Sequence, residues 1–395
     1  MRKIKFFIKN IIRVICTCTI FNIFLLKKDR YIFGQRDHLN KELFMHNSKY
    51  LFLYLNSIKK DCVWFTNDIH MQKEFKKRGL KAVKRYSLKG IFYALTSRYW
   101  IADFETFTSS ISNFLPQNNI RINLWHGIPL KKIGYDAPVC SYYSLNKFEK
   151  IIYKLMRAEY NYYIAAGNFD AKNLSTAFDI PQIKLKQLGN PRLDAIYNDI
   201  SHSEIFMEED YENIKNIKNS GKKIIIYMPT YRNSNFNLTQ WLESPNLKNI
   251  LHERNITLIC KLHPADMNNI NIESSDEIFI MNSASDVYPI LKFTDALITD
   301  YSSIAFDYLL TGNPIIFYPM DLDDYKQSCG DFYMPYEDFA VGKIAINETE
   351  LIESIIEFDN NIDNYKQQRE SLKKKLFKFT DGKNCERITN FIENL

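Results

Sequence analysis

A chain of 395 residues is too long for one average core and points to two domains, and a hydrophobic share of 46% excludes the disordered and fibrous classes. The net charge of +6 is localised: residues 1–30 carry eight Lys or Arg against one acid, Asp29, which leaves residues 31–395 at −1 and offers no basic body for a nucleic acid. The seven cysteines are scattered without metal-ligand spacing and fit reduced thiols in a cytoplasmic protein.

In chain order, Lys5, Lys9 and Arg13 recur every four residues and mark one side of a helix, with Phe6, Phe7, Ile8, Ile11 and Ile12 around the rest. The largely apolar run 14–26 is shorter than the ~20 residues of a membrane-spanning helix. Residues 1–30 therefore read as a basic amphipathic segment lying in an anionic membrane surface. A signal peptide is the rival pattern, but Lys27-Lys28-Asp29-Arg30 stands where a cleavage site would follow. A helix packed on its own domain is the third reading.

From 31 to 205, short apolar runs alternate with helical stretches. Strands are predicted at 62–65, 81–83, 100–103, 120–125 and 162–166, and helices at 51–55, after Asn47-Ser48-Lys49-Tyr50, and at 91–96. Residues 201–221 turn polar, as a connection or surface helix. A second alternating series follows, with strands at 223–227, 257–262, 278–281, 296–299 and 314–318. Its helices fall at 238–253 (interrupted at Pro245), 287–293 and 302–310, and the chain beyond 348 is mostly helical. Two βαβ series predict two doubly wound α/β domains, 31–205 and 206–375, followed by a C-terminal helix at 376–395.

Ligands bind beyond the carboxyl ends of such strands. There the sequence places His126, the run Pro229-Thr230-Tyr231-Arg232, His263-Pro264 and Asp300-Tyr301-Ser302-Ser303. His126, on a loop with Gly127 and Pro129, suits a general base, and Asp136 ten residues on is a candidate to orient it. The other reading of His126 is a hydrogen-bonded imidazole beside Trp125. Ser302 and Ser303 open a helix whose N–H groups and hydroxyls suit a phosphate, or they form an ordinary N-cap. Arg232 offers two donors to a diphosphate, or a surface ion pair. Asp321-Leu322-Asp323-Asp324 reads as a solvated turn rather than a metal clamp. The sequence contains no P-loop, Gly-rich dinucleotide fingerprint or GxSxG elbow.

These motifs together resemble the CDP-glycerol glycerophosphotransferase family, the teichoic acid primases and polymerases. The resemblance is carried by Asn47-Ser48-Lys49-Tyr50, the stretch from Trp125 to Asp136 (WHGIPLKKIGYD), Gly189 to Asp194 (GNPRLD) and Met228 to Arg232 (MPTYR). It continues through Leu262-His263-Pro264, Thr299 to Asp307 (TDYSSIAFD) and Asp381 to Arg387 (DGKNCER). Ile128, Leu193 and Cys385 depart from the family's usual Thr, Asn and Ser.

The resemblance implies a GT-B-like fold, with two Rossmann-like domains facing a central cleft. The first domain would meet a lipid-linked or polymeric acceptor, and the second would hold CDP-glycerol or a related CDP-alditol. On these motifs His126, His263 and Asp136 form the catalytic set. Gly127, Lys131, Arg192, Thr230, Arg232, Asp300, Ser302, Ser303, Asp307 and Arg387 form the substrate-binding set. The expected reaction moves glycerol phosphate to an acceptor hydroxyl and releases CMP, at the cytoplasmic face of the membrane. No cofactor or dedicated metal site is expected, although a divalent cation would suit the phosphates, and no nucleic acid is a partner. Two alternatives are a GT-B glycosyltransferase using a nucleotide sugar and an inert membrane-bound scaffold of an envelope-assembly complex.

Overall fold

The computed structural model describes residues 28–34, 42, 44–85, 87–103, 119–137, 160–230, 238–263, 273–319 and 331–395. Strands that are apolar on both faces need cover on both sides, and the crossover helices of parallel sheets supply it. Among the described residues, β1 (Lys28–Phe33), β2 (Cys62–Phe65), β3 (Ala82–Val83), β4 (Ser97–Ala102), β5 (Ile120–Asn123), β6 (Tyr162–Ala165) and β7 (Leu185–Gln187) form one parallel sheet. Its order is β3-β2-β1-β4-β5-β6-β7. The helices that matter below are α1 (His46–Ser57), α2 (Ile69–Lys77), α3 (Leu88–Thr96) and α4 (Asn168–Phe178). Asp68 caps α2 through the His70 and Met71 N–H groups, and Ser87 caps α3 through Gly90 N–H.

The helix Glu208–Asn219 joins this domain to the second. There β8 (Lys223–Met228), β9 (Ile256–Cys260), β10 (Ile278–Ile280), β11 (Ala296–Thr299), β12 (Ile315–Phe317) and β13 (Lys343–Ile344) form a parallel sheet in the order β10-β9-β8-β11-β12-β13. That is the doubly wound nucleotide-binding order, and its direction reverses between β8 and β11. The expected GT-B-like pairing of two such domains is present. The core is continuous across them: Ile128 and Leu130 of the first domain pack in one buried cluster with Tyr301, Ile304 and Phe306 of the second.

Residues 1–27 lie outside the described residues, and with them most of the predicted amphipathic segment. Residues 28–30 belong to β1, which corrects the boundary drawn at 30. Arg30 is buried, with its Nε 2.8 Å from Asp61 and its guanidinium carbon 3.9 Å from the centre of the Tyr93 ring. A basic residue there is a strand residue whose carboxylate partner also holds Lys81.

Three further helices complete the frame: α5 (Ile304–Tyr308), α6 (Lys366–Leu376) and α7 (Asn384–Glu393). The last returns to the first domain, where Cys385, Ile388 and Ile392 share a core with Leu51 and Leu55 of α1. The Asp194 carboxylate fastens it by accepting from Asn384 N (2.9 Å) and Cys385 N (2.8 Å), two N–H groups that the helix itself cannot satisfy. Gly189 makes this docking possible. Its φ is +90°, and a Cβ there would lie 1.9 Å from Asn384 Oδ1. Gly189→Ala combines backbone strain with a clash and is expected to destabilise by about 2–3 kcal/mol. The lowered midpoint in thermal unfolding checks it.

Candidate active site

The loop after β5 carries the first wall of the site. Its backbone is held in an uncommon shape: Trp125 has φ +53° and Gly127 φ +155°. Left-handed angles at a bulky residue persist only where the surroundings enforce them. Here Asn47, on α1, donates from Nδ2 to the carbonyls of Leu124 (3.1 Å) and Trp125 (2.8 Å), and Asn123 Oδ1 accepts from Trp125 N at 2.7 Å. The His126 ring lies 4.2 Å, centre to centre, from that of Trp125, and its Nδ1 is 3.2 Å from the carbonyl oxygen of Asp103. A carbonyl only accepts, so the neutral imidazole carries its proton on Nδ1 and Nε2 is the basic nitrogen.

Behind the loop, Asp103 is buried at the end of β4, and both its carboxylate oxygens accept from Ser48 N, at 3.0 and 3.1 Å. Burial pushes its carboxyl up to about 8, against the pull of that N–H. Burial also pushes His126 down to about 4, the Asp103 carbonyl drawing it up and the Arg192 charge drawing it down. His46, whose ring centre is 6.1 Å from that of His126, is pushed down to about 3 by burial and then by His126.

The opposite wall comes from the second domain, at the reversal between β8 and β11. Pro229 and Thr230 follow β8, His263 follows β9, and Tyr301, Ser302 and Ser303 follow β11. Together with Trp125, His126, Gly127 and Lys131 they line one cleft of about 530 Å³. The walls are tied by an isolated antiparallel bridge between Lys131 and Phe332, with Tyr333 N donating to Leu130 O at 2.8 Å. Ser303 makes no side-chain cap to α5, and the Ser302 hydroxyl accepts from Ile304 N only at 3.5 Å.

Residues 18–394 match the family model of the CDP-glycerol:poly(glycerophosphate) glycerophosphotransferases. The chain belongs to this family. It is 29% identical over 282 residues to the teichoic acid ribitol-phosphate primase of Bacillus spizizenii, covering 70% of each chain. It is 27% identical over 336 residues to the teichoic acid glycerol-phosphate transferase of Staphylococcus aureus, covering 80% of this chain and 82% of that one. The structure superposes on that of the wall teichoic acid polymerase TagF with a TM-score of 0.76 and 20% identity, over all of this chain and 95% of the other, which shows a shared fold.

In this glycerophosphotransferase, an enzyme by its family, the structure brings His126, Gly127, Lys131, Thr230, His263, Ser302 and Ser303 to one cleft. Other residues of the sequence reading lie elsewhere. Asp136 does not orient His126. Its carboxylate accepts from Thr176 Oγ1 (2.5 Å) and Tyr333 OH (2.7 Å), and the Asp103 carbonyl takes the imidazole instead. Arg192 and Asp307 face each other in a buried pair, Nη2 to Oδ2 2.7 Å, joined by the Tyr288 hydroxyl at 2.6 Å from each side chain. Asp300 is buried and clamps the start of the β8 loop, accepting from Thr230 N at 2.9 and 3.0 Å. Arg387 is bound to Asp381 at 2.9 Å and to the Leu188 carbonyl at 3.2 Å, against the Phe379 ring. Arg232 and the acidic run 321–324 lie outside the described residues.

No pattern in the sequence gives Asn47, Ser48, Lys49 or Tyr50 a role, and the structure gives each of them one. Lys49, fully buried, donates to Asp286 (2.8 Å) and to Ser203 O (2.7 Å), and Tyr50 OH donates to the same Asp286 oxygen at 2.7 Å. Burial alone would raise the Asp286 carboxyl, but Lys49 and Tyr50 hold it below the usual carboxylate range. One helical turn therefore fixes the His126 loop on one side and the second domain on the other. Asn47→Ala would strip a donor from two carbonyls and an acceptor from Arg192 N (3.1 Å). The expected result is a stability loss of about 2–4 kcal/mol and a kcat at least ~10-fold lower, with donor KM little changed, read from denaturant unfolding and steady-state kinetics.

Proposed function

We propose that this glycerophosphotransferase transfers glycerol phosphate from CDP-glycerol to a hydroxyl of a lipid-linked or polymeric teichoic-acid-type acceptor. The observation that carries the reading is the single cleft that sets His126 opposite Thr230, His263, Ser302 and Ser303. The diphosphate rests on the second-domain wall, with Arg232, two positions beyond Thr230 in the sequence, gripping it bidentately. His126 Nε2 takes the acceptor proton as the acceptor oxygen bonds to the β-phosphorus. The bond from that phosphorus to the oxygen bridging the two phosphates breaks in line, and the electron pair leaves with CMP. Hydrogen bonds from the serine hydroxyls and His263 stabilise the charge on the equatorial oxygens, and positioning supplies the rest. Among the described residues no helix is long and apolar enough to cross a membrane, and we place the enzyme peripherally at the cytoplasmic face, where a lipid-linked acceptor resides.

The test pairs binding with product analysis. CDP-glycerol should raise the thermal midpoint, because a ligand bound only by the folded form stabilises it. CDP-ribitol, UDP-sugars and CMP-sugars should raise it less. Mass spectrometry of the acceptor should then find one added glycerol phosphate for each CMP released. An added sugar would replace this reading with the glycosyltransferase one, and no binding of any cytidine nucleotide would replace it with the scaffold.

A further inference from the structure

The edge strand β3 of the first sheet lies at the floor of a groove of about 550 Å³ between α2 and α3. Lys73 and Lys76 of α2, Lys81 before β3 and Lys89 of α3 line it, with Ile69 and Tyr93. All four lysines are exposed. The nearby carboxylates are committed elsewhere: Glu74 to Lys77 and Arg78, and Asp61 to Arg30 and Lys81. Among the described residues, Lys73, Lys76 and Lys89 have no carboxylate at ion-pair distance; Lys89 sits 5.6 Å from the centre of the Tyr93 ring. The same face exposes large apolar side chains. Leu88 is 88% exposed, Ile69 69% and Phe92 49%, and Leu88 and Phe92 stand one turn apart on α3 beside the stripe of Lys89 and Tyr93.

We propose that this groove and its rim are a docking surface for an anionic lipid bilayer. Charge complementarity requires an anionic partner, and the apolar residues select among anionic partners. A soluble phosphodiester chain would satisfy the lysines and leave Leu88, Phe92 and Ile69 in water. A bilayer interface takes both: the aliphatic and aromatic side chains enter the headgroup–acyl boundary, and the lysines reach the phosphates with their stems along the apolar surface. The surface belongs to the folded body, so it adds a contact independent of residues 1–27 and of the chemistry in the cleft. Two weak contacts in one chain reinforce each other, since the second forms at the effective concentration set by the first.

The experiment uses the full chain and extruded phosphatidylcholine vesicles with and without phosphatidylglycerol, in co-sedimentation at low and high salt. Two variants are compared with the parent: Lys73→Gln/Lys76→Gln/Lys89→Gln and Leu88→Ala/Phe92→Ala. These side chains are exposed, so both should keep the parental thermal midpoint and the parental response to CDP-glycerol, which separates this test from that of the catalytic reading. The lysine variant should partition on the order of 100-fold less onto phosphatidylglycerol vesicles and lose most of the salt dependence. The apolar variant should partition roughly 10-fold less. Parental partitioning of both variants would overturn the proposal. It would also be overturned if the apolar variant bound vesicles normally while the lysine variant lost affinity for soluble poly(glycerol phosphate), because the groove would then hold a polyanion.

Discussion

His126→Ala should lower kcat by about three orders of magnitude while leaving the CDP-glycerol Kd within about twofold, because a positioned general base contributes roughly 10²–10⁴-fold and the proposed donor wall, with Thr230, His263, Ser302 and Ser303, lies across the cleft. His126→Gln is the sharper control, since it retains a side-chain donor for the Asp103 carbonyl without supplying a base. The pH dependence follows from the environment of the ring. Burial holds His126 at about 4, below its ordinary 6.5, so the imidazole stays neutral and competent through pH 5 and 6. The acid limb of kcat/KM should therefore lie near pH 4, and a limb at 6.5 or above would remove His126 as the base. Stability moves in the same window. Between 6.5 and about 4 the unfolded chain holds a proton on this residue that the folded chain does not, so folding weakens as pH falls through it. The alanine variant should lose less stability on acidification, a difference that unfolding curves at pH 7 and pH 5 would record.

Why the cleft was legible in the sequence and its supports were not has a physical explanation. Parallel strands buried on both faces are short unbroken apolar runs, so residues 296–299 and 223–227 announced themselves, and reactive side chains at their carboxyl ends followed from the topology. Strands β1, β7 and β13 were missed because Lys28-Asp29-Arg30, Lys186-Gln187 and Lys343 put polar residues into them; β7 and β13 are short sheet edges, where one side meets water. Pairing across the chain is a different kind of information. An arginine and an aspartate 115 residues apart, each beside a cleft motif, look the same whether they hold a phosphate or each other. Asp136 is near His126 along the chain but not in its hydrogen bonding. The turn at Gly134–Asp136 instead carries it to α4 and the second domain, and a backbone carbonyl, which no side-chain pattern reports, holds the imidazole.

Asp307→Ala should destabilise the protein by about 3–5 kcal/mol, because it leaves the Arg192 guanidinium buried without its counter-charge. The side chains of this pair are 1% and 4% exposed, and Tyr288 closes the third side of the site, so water has little access to compensate. Arg192→Met should cost a similar amount for the converse reason. The double variant Arg192→Met/Asp307→Leu removes both charges and should recover most of the loss, giving a coupling of at least ~2 kcal/mol in a double-mutant cycle. A pair that contacts substrate directly would behave otherwise: each single change would raise the donor Kd steeply and leave unfolding nearly untouched. Turnover in the double variant carries the remaining information. Arg192 Nη2 lies 3.2 Å from where a Gly127 Cβ would stand, so the guanidinium forms the floor beneath the loop that presents His126. Recovered stability with kcat still depressed at least ~10-fold would assign Arg192 a positioning role, exerted through the Gly127 backbone on a base it never touches.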